Sequence, residues 1–179
     1  TLLVDHVIGC AGKNACVNVT ASNAVPLSTL TIPFTWNCTT PPVLDSVTVA
    51  GTRSTGATLF MLNDDANGNK RRSYQIDFSS TPAHELAPGA GTVLSLHFRV
   101  GNGIPNGTCL PITVLSYGYQ TPQFAAGANA FAPAIVNGQI TLCLAGDFND
   151  DNIGPDISDL TAMISYLYLQ GTAPSFTPK

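Results

Sequence analysis

Charge is the scarcest property of this chain. Asp, Glu, Lys and Arg make up 10% of its 179 residues, whereas an average globular domain has about a quarter. Residues 1–143 contain six acids and six bases, so the net charge of −4 comes from the segment that follows. A nearly neutral body offers no basic field to hold nucleic acid. Its surface must be covered by Thr, Ser, Asn, Gly and backbone, as in secreted β-rich domains.

Recognisable catalytic sets are also missing. The chain has a single glutamate, Glu85, whereas a glycosidase needs two carboxylates placed across a cleft. The three histidines are far apart in sequence, at His6, His84 and His97. No Gly-x-Ser-x-Gly elbow accompanies them. We therefore predict no catalytic residues and a protein that is not an enzyme.

Targeting signals are absent as well. The sequence has no initiator methionine, no signal peptide and no apolar run long enough to cross a bilayer. Because its first residues already form a strand-like run, we interpret it as a mature chain whose export signal has been removed. Five cysteines indicate the same oxidising, extracellular compartment.

Covalent modifications suited to that compartment are predicted at two kinds of position. Cys10 and Cys16 flank a short turn between two strand-like runs, so a hairpin disulfide between them is expected. Zinc binding is the rival interpretation, but the chain has no Cys-x-x-Cys and no suitably spaced histidine. Three sequons permit N-glycosylation, at Asn18, Asn37 and Asn106.

Residues 1–143 consist of short runs rich in β-branched and aromatic residues, separated by Gly, Pro, Asn and Asp. This spacing predicts an all-β, nine-stranded jelly-roll or β-sandwich domain. The predicted strands are Leu2–Ile8, Ala15–Thr20, Thr29–Trp36, Val43–Ala50, Ala57–Leu62, Tyr74–Phe78, Val93–Val100, Leu110–Tyr117 and Ile135–Leu142. Residues 119–134, rich in Ala, Gly and Pro, are predicted to form a long loop. Residues 144–179 form a second unit.

The second unit begins with a dense acidic run. Five of the eleven acidic residues fall within thirteen positions. Alternating oxygen ligands, followed by a carboxylate that opens a helix, are what Ca²⁺ requires. The predicted ligands are Asp147, Asn149, Asp151, the carbonyl of Ile153, Asp156 and Asp159. The alternative is an acidic turn in which Asp156 or Ser158 caps the helix, but such a turn needs no alternation.

The helix after this loop is amphipathic. Leu160, Met163, Ile164 and Leu167 follow the i, i+3, i+4, i+7 pattern and form one apolar stripe. Gly171 provides a stop. A lone helix of this length is marginally stable in water, so calcium at its start and a packing partner on the stripe must stabilise it. That partner is either the chain's own sandwich or the sandwich of another copy.

The loop and helix resemble a dockerin type I repeat, a calcium loop with an exit helix and the pattern Asp-x-Asn-x-Asp…Asp-Leu. The resemblance covers residues 146–171. The chain departs from the family in showing one repeat where dockerins usually carry two, in a loop one residue longer, and in Asn152 at the usual Gly position. The resemblance implies partner contacts at the helix start and its exposed side, at Ile157, Ser158, Ile164, Ser165 and Leu169.

The body resembles a cohesin domain, the receptor to which dockerins bind. The matching stretches are Val7–Gly9, Ala15–Val19, Leu30–Trp36, Leu44–Val47, the polar hairpin Asn63–Asn69, Tyr74–Phe78, Gly91–Phe98 and Asn137–Ile140. In the cohesin topology, Cys38 and Cys109 would lie at the ends of neighbouring strands. The resemblance therefore implies a second disulfide between these two cysteines, and it leaves Cys143 unpaired.

Together the two resemblances imply an extracellular, non-catalytic structural protein whose calcium-dependent contacts join copies head to tail into a filament. The alternative is a scaffold or cell-surface module that binds polysaccharide or a foreign dockerin-bearing partner. Polysaccharide binding needs exposed aromatics, for which Tyr117 and Tyr119 are the candidates, whereas Trp36 is expected to be partly buried. A second ion in the hairpin Asn63–Asn69 is a further possibility, but a turn rich in Asx and Gly needs no metal.

Overall fold

The computed structural model describes residues 1–79, 85–105, 107–143, 156–169 and 171. Two facing β-sheets form the body of the chain, which confirms the predicted all-β sandwich. The strands in this part of the chain are β1 (Leu2–Val4), β2 (His6–Cys10), β3 (Asn14–Asn23), β4 (Thr29–Thr35), β5 (Val43–Thr48), β6 (Thr58–Asp65), β7 (Arg71–Asp77), β8 (Gly89–Arg99), β9 (Cys109–Val114), β10 (Gln123–Ala126), β11 (Asn129–Phe131), β12 (Ile135–Val136) and β13 (Gly138–Cys143). Helix α1 (Ile157–Tyr168) follows them.

The strands outnumber the predicted nine for two reasons. The first and last predicted strands are each split, at Asp5 and Asn137, where the chain passes from one sheet to the other. In addition, the predicted loop 119–134 contains the hairpin β10–β11. These two strands are too short and too rich in Ala to show a β pattern in the sequence. Pairing of β10 with β4 stabilises them instead.

The first sheet has five strands in the order β12-β1-β3-β8-β5. The second is built around β4, which pairs with β7 along one side and with β10 and β9 along the other. From β9 the second sheet continues through β13 to β2. Among the described strands, β6 pairs with β7 alone and so forms an edge of this sheet.

The N-terminal strands of the sandwich pair with its C-terminal strands. β1 pairs in parallel with β12 in the first sheet, and β2 pairs in parallel with β13 in the second. Both stretches cross between the sheets at the same place, where Gly138 is buried. A Cβ atom at Gly138 would overlap the backbone oxygens of Val4 and Asp5, so only glycine fits this close approach.

An aromatic cluster occupies part of the core between the sheets. The ring centroid of Trp36 lies 5.6 Å from that of Phe34 and 5.9 Å from that of Phe98. Trp36 is 1% exposed, so the expectation that it is only partly buried is wrong. The reason is that Trp36 continues the inward alternation of β4 one step beyond the last residue of that strand.

The disulfide pattern differs from both predicted pairs. Cys10 forms a disulfide with Cys143, and Cys16, Cys38 and Cys109 are free. Pairing of β2 with β13 places Cys10 opposite Cys143, with their Cα atoms 5.0 Å apart. Cys16 lies on the first sheet, away from Cys10 on the second. Cys38 packs against the core, whereas Cys109 is exposed.

Candidate functional site

Helix α1 begins with a capping box. Asp156 Oδ1 accepts hydrogen bonds from the N–H groups of Ser158 (2.7 Å) and Asp159 (3.3 Å). Asp159 Oδ2 accepts one in return from the N–H of Asp156 (2.9 Å). The Ser158 hydroxyl also donates to Asp156 Oδ1, and together with the Ser158 N–H it holds the pKa of that carboxyl below its usual value. These bonds satisfy amides that the first turn would leave unpaired, which explains where the helix starts.

The helix reverses the usual burial pattern. Asp159 is 3% exposed and is the buried residue of α1. Ser158, Ala162 and Ser165 are half-buried, and at about 100° per residue they lie about 60–120° to one side of Asp159, opposite the apolar stripe. Gly171, which follows the helix, contacts its last turn: the Gly171 N–H donates to the carbonyl oxygen of Ser165 over 2.9 Å.

The predicted apolar stripe lies on the other side of α1 and is uncovered. Its exposed fractions run from 37% at Met163 to 59% at Leu167, and Leu160 and Ile164 fall between them. An amphipathic helix ordinarily turns such a stripe toward a core. The described part of the chain's own sandwich does not cover it, so the stripe is available to another surface.

The contacts implied by the dockerin resemblance fall into two groups. Ile157 and Leu169 are strongly exposed at the two ends of the helix, and Ile164 belongs to the exposed stripe. Ser158 and Ser165 are half-buried on the side of the helix opposite the stripe. The hydroxyl of Ser158 is already bonded to the helix cap. The apolar members of the predicted set are therefore the accessible ones.

Two of the six predicted calcium ligands lie in the described part of the chain. The capping box brings the carboxylates of Asp156 and Asp159 together at the start of α1. The other four lie outside the described residues, at Asp147, Asn149, Asp151 and Ile153. Within the described ranges, no group of three or more His, Cys, Asp or Glu side chains is arranged to hold a metal ion. Calcium binding stays a prediction from the sequence.

Edge strand β6 carries a continuous exposed apolar run, formed by Phe60, Met61 and Leu62. The register with β7 shifts between Met61 and Asn63, and such an irregularity turns successive side chains outward. Exposed edges with apolar side chains are sites where other chains can bind. Sequence analysis predicted a strand here but did not indicate an exposed apolar surface.

In the β6–β7 hairpin beside this run, neighbouring side chains donate hydrogen bonds to the two carboxylates. Asp65 Oδ2 accepts a hydrogen bond of 2.6 Å from the side-chain amide of Asn69, which lowers the pKa of Asp65. Arg72 Nε donates to Asp64 Oδ1 over 2.9 Å and lowers the pKa of Asp64. Both carboxylates thus act as hydrogen-bond acceptors within the hairpin.

The two tyrosines considered for polysaccharide binding differ in exposure. Tyr117 and Gln120 close a two-residue turn through two backbone hydrogen bonds of 3.0 Å, and Tyr119 at its tip is fully exposed. Tyr117 is half-buried, with the Arg71 guanidinium 5.8 Å from its ring centre. Burial raises the pKa of Tyr117 to about 12. The expectation that both rings are exposed together is wrong, because the turn places Tyr117 against Arg71 on β7.

The predicted glycosylation sites lie in different settings. Asn37 is exposed just after β4. Asn18 lies within β3, where its side-chain oxygen accepts a hydrogen bond of 2.9 Å from the hydroxyl of Ser95. Asn106 lies outside the described residues. Glycosylation stays a prediction, and Asn37 is the more accessible of the two described sites.

A groove that the sequence did not indicate lies beside the end of β9, the hairpin β10–β11 and the strand β12. It has a volume of about 480 Å³. All of its lining residues fall between positions 115 and 135, and most of these positions belong to the predicted loop. A sequence pattern could not reveal the groove, because the pairing of β10 with β4 creates it.

Comparison with solved structures identifies the fold of the sandwich. No family model and no curated protein matches the sequence. The sixth cohesin of scaffoldin B from Acetivibrio cellulolyticus, solved with a Cel5 dockerin mutant, has a TM-score of 0.61 at 17% identity over 80% of this chain and 98% of that one. The third cohesin ScaC from the same organism, solved with the ScaB dockerin, gives 0.63 at 16% identity over 79% and 99%. A non-cellulosomal cohesin from the archaeon Archaeoglobus fulgidus gives 0.58 at 16% identity over 80% and 90%.

Likeness at this level of identity shows a shared fold. The sandwich has the cohesin fold, which confirms the resemblance of the body. The dockerin resemblance of residues 146–171 stays a prediction. In the described part of the chain, no helix combines the length and the apolar character needed to cross a membrane.

Proposed function

We propose that this protein is an extracellular, non-catalytic structural module that binds other copies of itself through calcium-organised contacts of the cohesin–dockerin type. The loop and helix of one copy bind the sandwich of the next. Because the two surfaces are different, the contact is head-to-tail, and it extends into a filament unless rotation closes a ring.

The observation that carries the proposal is the reversed burial of α1. Asp159 is buried, whereas the apolar stripe around Leu167 is exposed. A buried carboxylate needs hydrogen bonds or a cation to offset the loss of hydration. An exposed apolar stripe gains stability when another protein covers it. The Asp156 N–H already donates to the Asp159 carboxylate over 2.9 Å, and a calcium ion at the helix start would add a cation there, while a second copy would cover the stripe.

The proposed receptor surface is edge strand β6 with the hairpin beside it. Phe60, Met61 and Leu62 are exposed there, and Lys70 and Arg71 follow at the end of the hairpin. The hairpin also contains Asp64 and Asp65, so its charges are mixed and the apolar run itself is what complements the apolar stripe. Two cohesins of similar fold were solved bound to dockerins, which supports a contact of this type.

Light scattering of the purified chain tests the proposal. In the presence of Ca²⁺ we expect large particles, and after addition of a chelator we expect monomers. Calorimetry measures calcium binding separately, so that loss of the ion and loss of the contact can be told apart. A chain that stays monomeric in both conditions contradicts self-assembly. Calcium binding without assembly would favour docking of α1 within one chain or on a foreign partner.

Two variants locate the contact. Leu167→Asp places a charge in the middle of the stripe, and Phe60→Asp places one on the proposed receptor surface. Each is expected to abolish the particles without changing calcium binding. An equimolar mixture of the two should form heterodimers and nothing larger, because each variant keeps one intact surface. Val25→Asp is the matched control, since Val25 is a similarly exposed apolar residue outside both surfaces. Particles that survive Phe60→Asp contradict the receptor assignment.

A further inference from the structure

The groove of about 480 Å³ has the size of a ligand site. It lies where β11 ends one sheet and β12 ends the other, so it opens at an edge of the sandwich. The apolar part of its lining includes Phe131 and Ile135, and the polar part consists of Ser116, Thr121 and Gln123. These three polar residues are exposed, so their hydroxyl and amide groups can reach a ligand.

The lack of charged side chains in the groove lining indicates the class of ligand. None of the lining residues is Asp, Glu, Lys, Arg or His. An ionic ligand would find no counter-charge there and would lose hydration on binding. A neutral ligand that carries many hydroxyl groups can exchange hydrogen bonds with Ser116, Thr121 and Gln123 at little such cost.

One aromatic ring is held in place in the groove lining, and a second is exposed on the turn beside it. Phe131 packs edge-on against the buried Phe124, with ring centroids 5.9 Å apart and an interplanar angle of 76°, and it remains partly exposed. The Tyr117–Gln120 turn rises from the groove wall, because Ser116 precedes it and Thr121 follows it. Its tip presents Tyr119 fully to solvent. A packed ring such as that of Phe131 provides contact area at a low cost in conformational entropy, and Tyr119 has only two side-chain torsions to order.

We propose that this groove binds a neutral oligosaccharide. Phe131 and Tyr119 stack on sugar rings, and Ser116, Thr121 and Gln123 form hydrogen bonds with sugar hydroxyls. The groove lining contains no residue of α1 or of β6, although the turn that carries Tyr119 contacts Arg71 of β7 through Tyr117. The groove therefore operates without calcium, and a copy that assembles through its helix can still bind a glycan.

Affinity electrophoresis and calorimetry test the proposal on the full chain, in the presence of a chelator. The probes are neutral β-1,4-linked glucose and xylose oligomers and α-1,4-linked glucose oligomers, with anionic polygalacturonate and a proline-rich peptide as comparisons. We expect binding of at least one neutral glycan and no binding of polygalacturonate. Tyr119→Ala and Phe131→Ala are each expected to weaken that binding about tenfold. Gln123→Ala is expected to weaken it less.

Phe60→Ala is the matched control, because Phe60 is an exposed ring on a distant edge of the second sheet. It should leave glycan binding unchanged, as should Leu167→Asp. Tyr119 makes no contribution to the core, so Tyr119→Ala tests the site even if Phe131→Ala unfolds. Binding of none of the neutral glycans overturns the proposal. So does glycan binding that Tyr119→Ala leaves intact, or binding of the proline-rich peptide alone.

Discussion

The sandwich and the C-terminal helix treat their apolar side chains in opposite ways. Alternate residues of the sandwich strands point into a shared core, where Leu96 and Phe98 are fully buried. Helix α1 buries Asp159 instead and exposes Leu167. The sandwich therefore has the means to be stable by itself, whereas the helix lacks an apolar core in the described structure. The sandwich therefore provides the fold, and in the proposed function the helix gains stability from an ion and a partner.

The sharpest test compares the same substitution in the two regions. Leu96→Ala removes side-chain atoms from the closed core and is expected to lower the free energy of unfolding by about 2–5 kcal/mol. Leu167→Ala removes them from an exposed helix face and is expected to change it by less than about 0.5 kcal/mol. Denaturant unfolding of the monomer in chelator measures both values. Light scattering in calcium should show the opposite order of effects, because Leu167→Ala is expected to impair assembly more than Leu96→Ala does. A large loss of monomer stability in Leu167→Ala would show that the stripe packs within its own chain.

A second prediction concerns the disulfide at the junction of the two regions. Cys10 and Cys143 close a loop with a sequence separation of 133 residues. Removing the cross-link in a Cys10→Ser, Cys143→Ser double variant frees the unfolded chain, and it is expected to cost about 3 kcal/mol of sandwich stability. Thermal unfolding measures this loss. Assembly in calcium at low temperature should persist, because neither proposed docking surface is altered.

The matched controls are Cys16→Ser and Cys109→Ser, since both cysteines are free and exposed. Neither should change stability by more than about 0.5 kcal/mol. Equal losses in these single variants would show that the cysteines pair differently in solution.

The cysteine result shows what the sequence could reveal and what it could not. Strand positions and the all-β class followed from short-range patterns of β-branched residues, so they were predictable. The Cys10–Cys143 pair depends on β2 running parallel to β13, and sequence spacing carries no information about a pairing over that distance. The groove depends in the same way on β10 joining β4. In the candidate site, the helix and its stripe were predictable from periodicity, but the direction in which the stripe faces was not.

A polar network within the sandwich forms the basis of a third prediction. The Arg53 guanidinium donates to the carbonyl oxygens of Ala21 (3.1 Å) and Ala87 (2.6 Å) and to the side-chain oxygen of Asn23 (3.2 Å). Gly91 leaves room for it, since a Cβ there would lie 2.7 Å from Arg53 Cδ. Arg53→Ala leaves these acceptors without their donor and is expected to lower stability by about 2 kcal/mol in denaturant unfolding.

Arg99→Ala is the control for that substitution. Arg99 pairs with Asp45 at 3.2 Å, and both side chains are well exposed. Surface pairs of this kind contribute about 0–1 kcal/mol, so a small loss is expected. If Arg99→Ala lowers stability as much as Arg53→Ala does, the carbonyl contacts of Arg53 contribute no more to stability than a surface ion pair.

The smallest expected effect distinguishes the helix cap from the sandwich by pH. Ser158 donates to Asp156 and holds the pKa of that carboxyl below the ordinary value of 3.8. A lowered pKa in the folded state means that the cap contributes stability in full above about pH 4, and that this contribution is lost as pH falls through the lowered pKa. In chelator, the protection of the Ser158 and Asp159 amides, taken as the intrinsic exchange rate at each pH divided by the observed rate, should therefore fall at low pH, while the protection of amides in the core strand β8 should not. Asp156→Asn keeps an acceptor at the cap but cannot titrate, so it should remove the pH dependence. A loss of protection at low pH that persists in Asp156→Asn would assign the titration to another carboxylate.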